Sequence, residues 1–132
     1  MFVIENNNLE HLFAALRHKG FTLIAPTIRD GAIILDEVYS VNSLPKGWTD
    51  VQGPGSYSID RREDDAVFGY TVGPHSWKKY LYPPRLKLFT AKKDGKAFEI
   101  EANSNEGQLK YAFIGVRPCE VSALKIHDDV FY

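Results

Sequence analysis

Two stretches of this sequence concentrate the side chains that could do chemistry. The first is Gly115-Val116-Arg117-Pro118-Cys119-Glu120, which holds the only cysteine. Pro118 has the fixed φ that favours the first position of a helix. Cys119 therefore falls in a first helical turn, where unpaired N–H groups and the helix dipole favour negative charge and draw a thiol toward thiolate. Arg117, two residues earlier, adds a second positive influence or binds an anionic group at the helix start. The plainer alternative makes Cys119 a small packed apolar residue and Arg117 a surface charge. The second stretch is His75-Ser76-Trp77-Lys78-Lys79-Tyr80-Leu81-Tyr82, followed by Arg85. Trp77 and Tyr80 could stack on a ring system while Lys78, Lys79 and Arg85 meet anionic groups. Its alternative buries the aromatic rings and exposes the lysines.

The elements that must position these groups follow from apolar spacing. Leu9, Leu12, Phe13 and Leu16 recur at i, i+3, i+4, i+7 after Asn8, a good N-cap, and Gly20 stands where a helix stops, so the spacing predicts an amphipathic helix over Leu9 to Lys19. His11 and His18 are expected to be exposed on it. Phe21 to Pro26 and Ala32 to Val38 read as strands joined through Asp30-Gly31, a hairpin signal that sets Ile28 opposite Ile33. Asp36 and Glu37 are adjacent in a strand, so they point to opposite faces and do not form one carboxylate site. Tyr39 to Tyr57 is rich in Ser, Asn, Pro and Gly and reads as a long loop with Trp48 as a packing anchor. Tyr57-Ser58-Ile59 and Ala66 to Val72 read as a strand pair around the solvated charge run Asp60 to Asp65, and His75 to Tyr82 as a short helix stopped by Pro83-Pro84. A turn at Asp94-Gly95 sets Phe89 against Ile100 and Ala91 against Phe98. Tyr111 to Val116 then forms a strand leading into a helix from Pro118 to His127. The fold class expected is α+β, mainly antiparallel hairpins with two or three helices and a C-terminal strand-turn-helix unit.

With 132 residues, 44% of them hydrophobic and 13% aromatic, the chain is expected to form a single domain over residues 1–132 with an adequate core. A formal net charge of −1 leaves no excess positive charge for tracking a phosphate backbone, which argues against nucleic acid as a partner. One cysteine cannot close an intrachain disulfide, and no long apolar run or leader-like N-terminus appears, so a cytoplasmic protein without membrane insertion is expected. The same count rules out a Cys-ligated iron–sulfur cluster within the chain, which takes about four thiolates. His11, His18, His75 and His127 are too scattered for a zinc site. The chain alone is thus expected to be colourless and free of iron.

Taken together, Asp30-Gly31-Ala32-Ile33, Leu44-Pro45-Lys46-Gly47-Trp48, Phe68-Gly69-Tyr70-Thr71-Val72-Gly73-Pro74-His75-Ser76-Trp77-Lys78-Lys79, Pro83-Pro84-Arg85 and Gly115 to Glu120 resemble the N-terminal part of one redox family. It is the family of the sulfhydrogenase beta subunit and the anaerobic sulfite reductase A subunit, whose longer members are ferredoxin-like electron carriers with two 4Fe-4S clusters. The family's cluster-ligating cysteines belong to a C-terminal segment for which this sequence has no counterpart. The resemblance implies a cluster-free docking domain of an electron-transfer subunit, with a catalytic oxidoreductase subunit and a C-terminal ferredoxin-like cluster domain as partners. A second similarity links Gly115-Val116-Arg117-Pro118-Cys119 and Ala123-Leu124 to flavin-binding beta subunits of deazaflavin-reducing hydrogenases. It implies a flavin near Arg117 and Cys119, and a rival reading as a flavin-dependent oxidoreductase domain. A cofactor-free scaffold is the third reading.

Overall fold

The computed structural model describes residues 3–71, 73, 75–82, 85, 87, 89–95, 97–102 and 109–131. They form an α+β arrangement of hairpins and three α-helices. The chain divides into two compact units, one of residues 1–75 with 111–132 and one of residues 76–110.

In the first unit, helix α1 (Leu9–His18) begins directly after a 3-10 turn at Asn6–Asn8, so Asn8 is already helical and its side chain caps nothing. Gly20, at φ +80, ends it. His11 and His18 are exposed as expected. Strands β1 (Phe21–Arg29) and β2 (Ala32–Glu37) pair antiparallel with Ile28 opposite Ile33, the register expected from Asp30-Gly31. Both turn residues have positive φ, 50 and 73, which is what a two-residue hairpin turn following the strand twist requires. Asp36 is bound by Arg29 at 2.6 Å across the ladder. Strand β1 is central in the order β2-β1-β7, where β7 is Lys110–Phe113. It is buried through Leu23, Ile24 and Ala25, residues that point alternately to the two faces. Phe13 of α1 packs with Leu23, Ala25, Val38 and Leu44 to form the core, and Val67, Ala112 and Ile114 pack around it.

The expected loop from Tyr39 to Tyr57 is instead largely a hairpin. Strands β3 (Trp48–Gly53) and β4 (Ser56–Arg61) pair from Trp48 opposite Arg61 to Gly53 opposite Ser56, after a 3-10 turn at Val41–Ser43. Gly55, at φ +67, closes the turn. Its polar composition resembles a loop because most of this hairpin faces solvent, and a solvated strand need not be apolar. Trp48 is engaged within the hairpin, with the Arg61 guanidinium 4.0 Å above its ring. The Tyr57 hydroxyl accepts the Ile33 N–H at 3.1 Å, which ties β4 to β2.

The pairing expected between Ala66 to Val72 and Tyr57 to Ile59 is not seen among the described residues: 66–71 have no ladder partner, and side chains of Arg62, Arg117 and Asp50 bind backbone groups of 69–71 instead. The C-terminal helix α3 (Pro118–Phe131) runs four residues past His127, so His127, Asp128 and Asp129 lie within it.

In the second unit, helix α2 (Lys78–Leu81) covers only part of the helix expected from His75 to Tyr82. Strands β5 (Phe89–Asp94) and β6 (Ala97–Ala102) form the expected hairpin in a different register: Phe89 lies opposite Ala102, Ala91 opposite Ile100 and Lys93 opposite Phe98. Asp94 stays in the ladder, opposite Ala97, so Gly95 with φ +59 opens the turn rather than ending it. The shift is an even number of residues, and the apolar residues therefore keep the common face expected for them. Phe89, Phe98 and Ile100 on that face are exposed. Pro83, Pro84, Leu86 and Leu88 lie outside the described residues.

Candidate functional site

The turn that enters α3 is built from residues distant in sequence. Gly115 adopts φ +77, and a Cβ there would lie 2.9 Å from the Phe68 ring, so the turn and the 68–71 segment are in close contact. The Arg117 guanidinium donates to the Tyr70 carbonyl. Its backbone N–H donates at 2.7 Å to the Glu120 carboxylate, the reciprocal half of a capping box in which Glu120 occupies the third helical position. Arg117 is half-buried and Cys119 exposed.

Segment 68–71 is held from three directions. Besides Arg117 on Tyr70, Arg62 donates to the Gly69 carbonyl at 3.1 Å while gripping both oxygens of Asp64 at 2.7 and 2.6 Å. Hydrogen bonds from Arg62, and one from the Ala66 N–H, hold the exposed Asp64 carboxyl down to about 2. From the other side the Asp50 carboxylate accepts the Thr71 N–H at 2.5 Å and the Thr71 hydroxyl, together with the Gln52 amide at 2.6 Å. Burial works against charge on Asp50, but these hydrogen bonds outweigh it and lower its carboxyl below the usual range. The Gly69 and Tyr70 carbonyls and the Thr71 N–H are thus satisfied by side chains instead of a strand partner. Asp50 and Arg62 escaped the sequence reading: one lay in an assumed loop, the other in an assumed solvated charge run.

Inside this frame the Tyr70 hydroxyl is buried with no hydrogen-bond partner among the described residues. Burial is the main cause raising its pKa; the positive Arg117 acts against that rise and Glu120 adds to it. Tyr70 therefore stays a neutral phenol across the physiological range.

Of the six residues singled out for chemistry, Arg117 and Cys119 share the α3 entry turn. His75 closes the first unit, half-buried, with a buried Nδ1 that also lacks a partner among the described residues. Trp77, Lys78 and Lys79 belong to the second unit. Trp77 is only 3% exposed, so its ring is not an open stacking platform, whereas Lys78 and Lys79 are exposed and the Lys79 ammonium lies 4.8 Å from the Tyr80 ring centre. The turn is chemically committed: an incoming phosphate would have to displace Glu120 from the Arg117 N–H and compete with the Tyr70 carbonyl for the guanidinium. Among the described residues no cluster of three or more His, Cys, Asp or Glu side chains could hold a metal ion, and no helix is long and apolar enough to cross a membrane.

Cys119 is open to reagents by this geometry. Iodoacetamide is expected to add one carbamidomethyl group per chain to dilute folded protein, as read by intact mass. Modification only after denaturation would place the sulfur in packing.

Compared with known protein families, curated proteins and solved structures, the chain matches none of them.

Proposed function

We propose that this chain is a cluster-free docking domain of an iron–sulfur electron-transfer subunit in a hydrogenase- or sulfite-reductase-like oxidoreductase complex of the cytoplasm. It does not catalyse by itself. The observation that carries the reading is the contact between two separate motifs of the family resemblance, the Gly115 turn and the start of the Phe68 motif, with Gly47 of a third bonded to residues just before the latter. Gly115 meets the Phe68 ring and Arg117 binds the Tyr70 carbonyl, while Gly47 donates its N–H to the Ala66 carbonyl and accepts from the Arg62 N–H. Residues far apart in the sequence are thus used together to brace one segment, the rigidity that a positioning role would need. The exposed Phe89, Phe98 and Ile100 add apolar surface of the kind used in contacts with other proteins.

The test is affinity purification of the tagged chain from its own cells under anaerobic conditions. The expected product contains a brown iron–sulfur protein and supports viologen-coupled hydrogen uptake or sulfite reduction. A colourless isolate without either activity sinks the proposal, and a yellow isolate that releases free flavin on denaturation favours the flavin reading of the Arg117–Cys119 turn instead.

A further inference from the structure

Arg117 and Asp50 grip one and the same peptide group. The Tyr70 carbonyl and the Thr71 N–H belong to a single planar unit and point to its opposite edges. The Arg117 guanidinium, at the entry to α3, donates to that carbonyl, and the Asp50 carboxylate of β3 accepts that N–H at 2.5 Å. The Thr71 hydroxyl adds a second hydrogen bond to Asp50. A positive charge at the oxygen and a negative charge at the nitrogen both follow the dipole of the peptide, so each hydrogen bond polarises the group in favour of the other.

The chain on either side of this clamp is held differently. Val67 packs around the core, and Gly73 lies against the Ile33 carbonyl of β2. Between these two anchors the backbone has no ladder partner among the described residues, Phe68 is 47% exposed and Thr71 is exposed. One force works against the clamp. The Tyr70 hydroxyl is buried with no hydrogen-bond partner among the described residues, and exposure to water would satisfy it.

We propose that residues 68–71 form a strap that opens and closes as one unit over the turn entering α3, with the clamp on the Tyr70–Thr71 peptide as its latch. Because the peptide plane is rigid, turning it to break the bond to Asp50 also swings the carbonyl away from Arg117, and the reverse. Arg62, bonded to the Gly69 carbonyl at 3.1 Å, releases in the same movement. Closed, the strap occupies the Arg117 guanidinium and sets the Phe68 ring against Gly115. Open, it frees the guanidinium, while the Glu120 carboxylate keeps the Arg117 N–H and with it the helix start. The bracing of this segment is therefore conditional, and the strap operates whether or not the chain is a docking domain.

Each half of the clamp is tested by a readout at the other half. Arg117→Ala does not touch the Thr71 N–H, yet it is expected to speed hydrogen exchange of that amide at least about tenfold, the effect of losing a hydrogen bond to a charged group. Asp50→Ala does not touch the Tyr70 side chain, yet it is expected to speed acetylation of the Tyr70 hydroxyl by N-acetylimidazole at least about tenfold, as read by peptide mass. Arg117→Gln and Asp50→Asn, which keep the size and remove the charge, are expected to act in the same direction with smaller effects, and they stand in for an alanine variant whose circular dichroism spectrum is lost. The native chain supplies a test that needs no substitution. Its Thr71 amide is expected to exchange faster than the Val38 amide, which donates to the Leu23 carbonyl in the core, because the strap opens without the core. Thr71 protected as strongly as Val38 overturns the proposal, since the segment then opens only when the whole domain unfolds. Thr71 exchange indifferent to the loss of Arg117, or Tyr70 acetylation indifferent to the loss of Asp50, overturns it as well, leaving two independent hydrogen bonds in place of a latch.

Discussion

Gly73→Ala is expected to destabilise the protein by about 3 kcal/mol or more, the upper part of the range for forcing extra volume into a packed site. The added Cβ would collide with the Ile33 carbonyl oxygen and lie 3.3 Å from its carbon. Both are backbone atoms of β2. Ile33 is 2% exposed, its Cα partner in β1 is Ile28, and its N–H is held by Tyr57, so the carbonyl has no soft direction in which to retreat. Relief must come from lifting Gly73 off β2, which pulls on the neighbouring segment that Asp50, Arg62 and Arg117 hold. Gly115→Ala is the instructive control. There the atoms in the way belong to the Phe68 ring, which is 47% exposed and can swing outward, leaving mainly the strain of an alanine at positive φ, about 1–2 kcal/mol. Urea unfolding of the two variants, compared at constant m-value, measures the difference. A Gly73→Ala variant as stable as the parent would mean that the close approach to β2 is not kept in solution.

The contrast between these glycines also marks what the sequence could tell. The hairpin at Asp30-Gly31 was legible because its register is local: two residues able to take positive φ, flanked by apolar runs, leave one way to fold back. The Asp94-Gly95 hairpin was legible in its faces but not in its register, since an aspartate can either enter the turn or end the strand before it. The β3–β4 hairpin was hidden by composition, because solvated strands of Ser, Asp and Gln resemble a loop. The opposite error occurred at Ala66 to Thr71, whose apolar and aromatic residues look like a strand. Its hydrogen bonds go to Asp50, Arg62 and Arg117, up to 47 positions away, and no spacing within the segment reveals such partners. The candidate site was therefore half legible. Pro118 and Cys119 announced the helix start, and the capping role of Glu120 was available from its place three residues after Arg117. That the Arg117 guanidinium turns back onto Tyr70 depends on tertiary structure.

Phe13→Ala is expected to cost about 3–5 kcal/mol, the range for truncating a buried aromatic ring. Phe13 is fully buried and joins α1 to Leu23 and Ala25 of β1 and to Val38 and Leu44 beyond the first hairpin. Among the described residues that cluster has five buried members, so removing its largest leaves a cavity that the surrounding partly buried Leu9, Leu16 and Phe21 cannot fill without leaving their own positions. For a chain of this size the total stability is about 5–15 kcal/mol, so the loss is a large fraction of it and lowers the melting temperature by about 10–20 °C. Phe98→Ala is the matched comparison, the same chemical change at a side chain 68% exposed on the β5–β6 hairpin, and it is expected to move stability by no more than about 0.5 kcal/mol. Calorimetry on both variants separates two uses of phenylalanine in this chain. Equal losses would mean that the apolar face of the hairpin is packed in solution, and would remove the exposed surface invoked for docking.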